Sequence, residues 1–507
     1  MTLSDPKFKV ATKSSIPRLS WLAKMGPTTT VYCGEDVEIF ETGIIEGCWD
    51  GEFSSYAFNR AENLFGSGFK IDNGIVTFCT PSHTIDGLYV LFQNHQTYVS
   101  NSLPFLFSFT GLPINYNYNY TKRLITLLKG INNYTKLIYE SGATRLYRVL
   151  YDNFVIAENE IRYIRKNSLG EISDYDSYHS CLRGTLDACL TNAKDQHRKR
   201  EYTPVATCSS GYDSNAAAAL GAALGCEQAI TLKSARSGDD DSGVQVATAL
   251  GMRCEERARP DRPQSPDYSE LEFLNNGMGG GDFVFTVFED QLEGKICLTG
   301  YNGDKLWSPQ TPPDSELIRG GYAGSSLSEF RQRVGFIHIP VPVIAARKHH
   351  QIQKISNSVE MDPYRIGGQY DRPIARRIIE NMGVERSLFG HSKKAVTIGF
   401  IWGPKYLSSE SRKDFNTFLK NNGQYSKNYL SLAVFHVCNY FYWLQRGVLR
   451  RATRIFPSIK PLLNISDKLL QRFKDYEGTH YCNLLFIWAL EKSKVRYGIE
   501  ESDARPE

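Results

Sequence analysis

Val205-Ala-Thr-Cys-Ser-Ser-Gly-Tyr-Asp-Ser-Asn215, running straight into the Ala/Leu series from Ala216 to Leu224, is the stretch that decides the fold. A short apolar strand, a Ser/Gly turn and a helix N-terminus follow one another, and together they make an anion cradle. Unbonded N–H groups of the turn and first helical turn point outward, the helix dipole favours negative charge, and small side chains let phosphate oxygens approach. Asp213 is out of place in such a cradle, because a carboxylate repels phosphate unless a cation lies between them. It therefore reads as a magnesium ligand. The Lys that follows the second Gly in the phosphate loop of kinases and GTPases is absent after Gly211.

Strand, loop and helix recur downstream of this segment. Ala229-Ile-Thr-Leu232 reads as a second strand, Asp241-Ser242 as the cap of a helix through Leu250, and Ile296-Cys-Leu-Thr299 as a third strand. Upstream, Tyr178, Leu182, Leu186, Cys189 and Leu190 fall at helical spacing. Such alternation predicts a parallel sheet with helices on its faces and a ligand site at the C-terminal strand ends. From about Val31 to Tyr163 the chain is strand-rich, with Ile75-Val-Thr-Phe-Cys79, Leu88-Tyr-Val-Leu-Phe92 and Gln96-Thr-Tyr-Val-Ser100 as strands and Tyr120 to Lys129 as a helical interruption. An α+β front domain is expected. After Phe400 the pattern is helical, including Leu462 to Tyr476 and Tyr481 to Lys492, and Glu500 to Glu507 is expected to fray.

Composition bounds the function classes. At 507 residues the chain exceeds one compact core, and a net charge of +4 offers no concentrated basic face for nucleic acid. Eleven Cys without a C-x-x-C pair or Cys/His ligand spacing read as reduced thiols in the cytosol. The N-terminus carries no apolar signal core. Tyr429 to Leu444, about 16 residues with Ser431, His436 and Asn439, falls short of the roughly 20 needed to span a bilayer and reads as a buried helix. Arg446, Arg450, Arg451 and Arg454 after it read as a solvated face.

Two further segments complete the constellation. Leu298-Thr-Gly-Tyr-Asn-Gly-Asp304 is a second Gly-bearing turn ending in an acid, and two carboxylates on neighbouring strand ends can hold magnesium while phosphates complete its shell. Gly390-His-Ser-Lys393-Lys394 supplies fixed positive charge of the kind a phosphoryl centre needs.

Taken in order, these segments resemble the asparagine synthetase and β-lactam synthetase family. Ser209-Ser210-Gly211-Tyr212-Asp213-Ser214 is similar to the Ser-Gly-Gly-x-Asp-Ser pyrophosphate loop of the N-type ATP pyrophosphatases, with Ser210 where the family has Gly. The segment ending at Asp304 resembles Ser-Gly-x-Gly-x-Asp, and Lys393 aligns with the Lys of Arg-Pro-Lys-x-Gly. The resemblance implies that Ser209, Ser210, Gly211 and Ser214 cradle pyrophosphate, that Asp213 and Asp304 bind Mg2+, that Leu232 contacts adenine, that Gly300 lines the nucleotide site, and that Lys393 stabilises charge at the α-phosphate. Asp239-Asp-Asp-Ser-Gly243 resembles the family's acidic segment, and reads equally as a loop and N-cap. Tyr301 stands where β-lactam synthetases carry a Tyr that works with a downstream Glu to deprotonate the attacking nitrogen. The aligned position for that Glu is Phe336, which leaves Glu329 and His338 as candidates by proximity.

Gly47-Cys-Trp-Asp-Gly51 and Tyr98-Val-Ser-Asn-Ser102 resemble the N-terminal-nucleophile glutaminase domain of these families. Residue 2 is Thr rather than Cys and the nearest Cys is Cys33, so this domain is expected to be an inactive scaffold. The expected architecture is an Ntn-like α+β domain over 1–172, an α/β synthetase domain with an adenine nucleotide α-hydrolase-like parallel sheet over 173–400, and a helical extension over 401–507 packed on the synthetase domain. The expected activity is ATP-dependent, AMP-forming amide ligation on a small-molecule or peptide carboxylate with ammonia or an amine as donor, in a chain that could form a homodimer. The competing readings are a lactam-forming synthetase, a nucleotide-binding protein without turnover, and an RNA-thiolating enzyme, for which neither a basic face nor reactive Cys is evident.

Overall fold

A computed structural model describes residues 7–394, apart from 167–169, 262–267, 269, 278–280, 315, 317–323 and 369, together with 407–424, 480–497 and isolated positions between those two stretches. Among the described residues the chain is a mixed α/β protein with three sheets, one of them wholly parallel, and with helices near its C-terminus.

The front region is a pair of sheets laid face to face. Seven strands, in the order 7–12, 28–33, 21–25, 96–100, 88–93, 144–149 and 137–141, form one sheet, in which only the first pair is parallel. Six antiparallel strands, in the order 160–164, 153–157, 75–79, 64–72, 43–49 and 38–40, form the other. Trp21, Val31, Leu88, Val90 and Val99 of the first sheet meet Ile44, Phe69, Phe78 and Phe154 of the second in one buried cluster. Ile75–Cys79 and Gln96–Ser100, marked in the sequence by β-branched and aromatic residues, are strands of these sheets. The strands Lys7–Thr12 and Trp21–Met25 extend the region ahead of Val31.

Behind it, the capped helix Tyr175–Ala193 leads into the parallel sheet, Asp174 and Ser177 closing a capping box at its start. The sheet has the strand order 253–257, 228–232, 203–207, 295–299 and 337–340. Numbered by sequence that order is third, second, first, fourth, fifth, so the direction of travel reverses between Thr203–Thr207 and Lys295–Thr299, which hydrogen-bond to each other in parallel. This is the switch point outside which open α/β sheets form their crevice. The Ala-rich helix Asp213–Ala222 buries Ala216 to Ala219 against the strands.

The helix Ser409–Asn421 and a helix over 480–494 follow. The latter contacts both regions. Trp488 lies against Phe273 and Phe415, Asn483 binds Tyr118 and Thr121, and just beyond it Tyr497 stacks on Phe105 at 4.8 Å. The candidate segments Tyr429 to Leu444 and Leu462 to Tyr476, the four Arg after the first of them, and Glu500 to Glu507 lie outside the described residues except for isolated positions. Among the described residues no helix is long and apolar enough to cross a membrane.

Candidate functional site at the switch point of the parallel sheet

A cavity of ≈ 850 Å³ opens at the C-terminal ends of the parallel strands, within the range of small-molecule sites. Ser209, Gly211, Asp213, Ser214, Leu232, Gly300, Tyr301, Asp304 and Lys393 all line it; Ser210 does not.

Close approach of two loops builds its floor. A Cβ at Gly300 would lie 2.2 Å from the Asp213 carbonyl carbon, and one at Gly303 would lie 2.6 Å from Asp213 Cγ. Only glycine permits the second loop to rest on the first in this way. Between them, Asn302 takes the left-handed conformation at φ 68°, which Asn tolerates, and starts the short helix Gly303–Leu306. Asp304 is thereby delivered beside Asp213.

Asp213 is the group with unmet chemistry. Its Oδ1 is buried without a hydrogen-bond partner, and burial, then the neighbouring Asp304 charge, pushes its carboxyl up to about 7. Lys393 Nζ lies 3.0 Å from Asp304 Oδ2, Arg372 donates to the Asp304 carbonyl at 3.1 Å, and the charge of each acts on Asp213. Among the described residues no cluster of three His, Cys, Asp or Glu could hold a metal by itself. Two carboxylates with one orphaned oxygen suit a magnesium ion that takes its remaining ligands from water and phosphate.

The first loop is knitted to itself. Ser209 Oγ meets Ser214 Oγ at 2.7 Å and accepts the Gly211 N–H at 3.1 Å, while Asn215 accepts the Ser209 N–H and donates to the carbonyls of Ser209 and Gly211. Ser210 is not among the residues lining the cavity, and it gives both its hydroxyl (2.5 Å) and its N–H (3.2 Å) to Asp241 Oδ1. Its φ is not positive, so Ser is accommodated there without left-handed strain. The backbone N–H groups of Ser209, Ser210 and Gly211, read from sequence as phosphate donors, are thus engaged within the protein. Asp241 is a brace for the loop rather than a helix cap, since the helix Val244–Ala249 starts at Gly243 without a side-chain cap.

Tyr301 has a carboxylate partner that the sequence did not point to. Its hydroxyl donates to Asp282 Oδ1 at 2.8 Å, and Asp282 also accepts the N–H groups of Gly324 and Ser326. Burial raises the Asp282 carboxyl, and burial followed by the Asp282 charge holds the Tyr301 phenol well above its usual range. Glu329, one of the two candidates, is instead bound to Ser102 and Tyr497. His338, the other, meets the Tyr301 ring edge-on at 5.6 Å and spends Nε2 on Thr299 Oγ1. Phe285, 6.3 Å from Tyr301 between ring centres, joins Phe288, Pro312 and Pro313 in giving the cavity apolar walls.

In the front region Cys33 is buried in the strand Thr28–Cys33, where burial pushes its thiol up. Thr2 lies outside the described residues. No protein-family model matches this chain, and no curated protein matches it significantly.

Proposed function

We propose that this protein is an ATP-dependent, AMP- and pyrophosphate-forming carbon–nitrogen ligase of the asparagine synthetase type. In this reading its parallel sheet is an adenine nucleotide α-hydrolase-like domain behind an Ntn-like front domain without glutaminase activity. The observation that carries the reading is Asp213, a carboxylate with an orphaned buried oxygen set beside Asp304 at the sheet's switch point. These two residues would hold Mg2+, which when bound neutralises the charge of the departing pyrophosphate.

Ser209 and Ser214 offer hydroxyls to phosphate oxygens, and Lys393 brings an ammonium to the same edge of the cavity. The substrate carboxylate, placed against the α-phosphate, gives an acyl-adenylate, and a nitrogen nucleophile displaces AMP. Tyr301 and Asp282 supply the base: Tyr301 takes the proton of the attacking nitrogen as it passes its own to Asp282, whose raised carboxyl pKa suits that role. This pairing favours an amine carried by an organic substrate, and hence the lactam- or amide-forming variant of the chemistry, over free ammonia.

The test is hydroxylamine trapping of acyl-adenylate across a panel of carboxylic acids, read by mass spectrometry alongside pyrophosphate release. Asp304→Asn is expected to lower release by about 10²–10³-fold with an unchanged circular dichroism spectrum. Unchanged release would remove the assignment, and ATP binding without release under every acid would favour a nucleotide-binding protein.

A further inference from the structure

A second cavity, of ≈ 540 Å³, is lined by Arg165, Lys166, Arg347, Lys348, His350 and Gln351, and shares none of these residues with the switch-point cavity. Four of the six are Lys or Arg and none is acidic, in a chain whose net charge is only +4. So much like charge around one concavity raises a local positive potential. Lys348 is also the N-cap of the helix His349–Ser356, so the peptide dipoles of its first turn add to the field.

Lys166 is the decisive member. It is only 7% exposed, its Nζ donates to the Thr80 carbonyl at 2.5 Å and to Ser82 Oγ at 2.9 Å, and among the described residues it makes no ion pair with a carboxylate. Those contacts use two of its three N–H donors. Burial pushes its pKa down to about 7, against the opposing fields of Cys79, Asp152 and Asp50. Beside it, Arg347 is fixed over the Tyr151 ring at 4.4 Å and by Asp152 at 3.5 Å, and its Nε is buried without a partner. Burying cationic groups in this state is costly, and a ligand that brings negative charge removes the cost.

We propose that this pocket is an anion site that binds a small oligophosphate independently of the nucleotide cavity. Its width and its several separate cations exceed what a single carboxylate would occupy, and a planar guanidinium beside ammonium groups matches phosphate oxygens. Among the described residues no Phe, Tyr or Trp lines it for base stacking, and no aliphatic side chain lines it for insertion among acyl chains.

The experiment is calorimetric titration of the full chain with sodium tripolyphosphate, the nucleotide cavity being saturated with a non-hydrolysable ATP analogue and Mg2+. Binding is expected in the wild type, weakened about tenfold or more in Arg165→Ala/Lys348→Ala and in Arg347→Ala, with affinity for the ATP analogue and Tm unchanged in the double variant. Equal tripolyphosphate affinity in the wild type and the double variant overturns the proposal. So does binding to phosphoinositide-containing vesicles without binding to free tripolyphosphate, which would make the pocket a membrane contact.

Discussion

Glu46, where the front sheets meet the helix Leu327–Val334, and Asp213, at the end of the parallel sheet, are both carboxylates held out of bulk water, and the protein treats them in opposite ways. Glu46 receives two bonds from Arg331, at 2.6 and 3.0 Å, and a third from Ser67 at 2.8 Å. Arg331 also reaches Asp86 at 3.3 Å; burial pushes the Asp86 carboxyl up, and the guanidinium together with His83, Ser328 and His338 more than offsets this. Glu329, Ser102 and Tyr497 form a similar closed set nearby, tying the C-terminal residues to both regions. Asp213, by contrast, keeps one oxygen without a partner and another carboxylate at its side. A closed set of charges cements a junction, whereas an open one stores binding energy for something that arrives later.

The comparison can be broken at several points. Arg331→Met should have the largest effect, because it strands Glu46 and Asp86 in the interior. A loss of about 3–5 kcal/mol in a urea titration is expected, and a loss below about 1 kcal/mol would mean the junction is no cement at all. Tyr301→Phe and Asp282→Asn should each slow amide formation by about 10²-fold while leaving acyl-adenylate trapping intact. If trapping falls equally, the pair positions substrate instead of moving a proton.

Asp213→Asn should sharpen the contrast by raising stability where it removes function. Its folded pKa, about 7, lies above the ordinary 3.8, so the native state binds the extra proton between those values. Native stability therefore falls as pH rises through that window, and the full penalty stands above pH 7. In the absence of Mg2+ and nucleotide, the Asn variant should gain about 1–3 kcal/mol at pH 8 and much less at pH 4. A stability difference independent of pH would show that Asp213 carries no such strain. The smallest effect is expected from Ser210→Gly, which deletes the bond to Asp241 and frees the loop backbone, at about 1 kcal/mol or less. Nucleotide affinity of that variant, by calorimetry, reports whether the Ser tunes the loop or merely fits it.

Local patterns carried much of the architecture. The Ala series after Asn215 packs as a helix, the β-branched runs at Ile75 and Gln96 are strands, and the 480–494 helix includes the apolar run beginning at Tyr481. Each of these is set by side chains a few positions apart. The edge strand Arg253–Arg257 escaped notice because its residues, Arg-Cys-Glu-Glu-Arg, carry no apolar alternation and it is held by pairing with Gln228–Leu232 alone. Asp282 escaped for a related reason: no spacing links it to Tyr301, and its partners Gly324 and Ser326 lie more than forty residues on.

By itself, then, the sequence determined which chemical groups exist and which turns carry them: small residues where backbones touch, an acid at the end of each Gly-bearing loop, a Lys pair downstream. The tertiary structure decided which of those groups meet. Asp213 and Asp304 are neighbours because Thr203–Thr207 and Lys295–Thr299 pair in register and Gly300 and Gly303 leave room for contact, and Ser210 spends its hydroxyl on Asp241 because folding brings the two together. Propensity acts over a few residues, but the field at a carboxylate depends on whatever folding brings within a few ångströms of it.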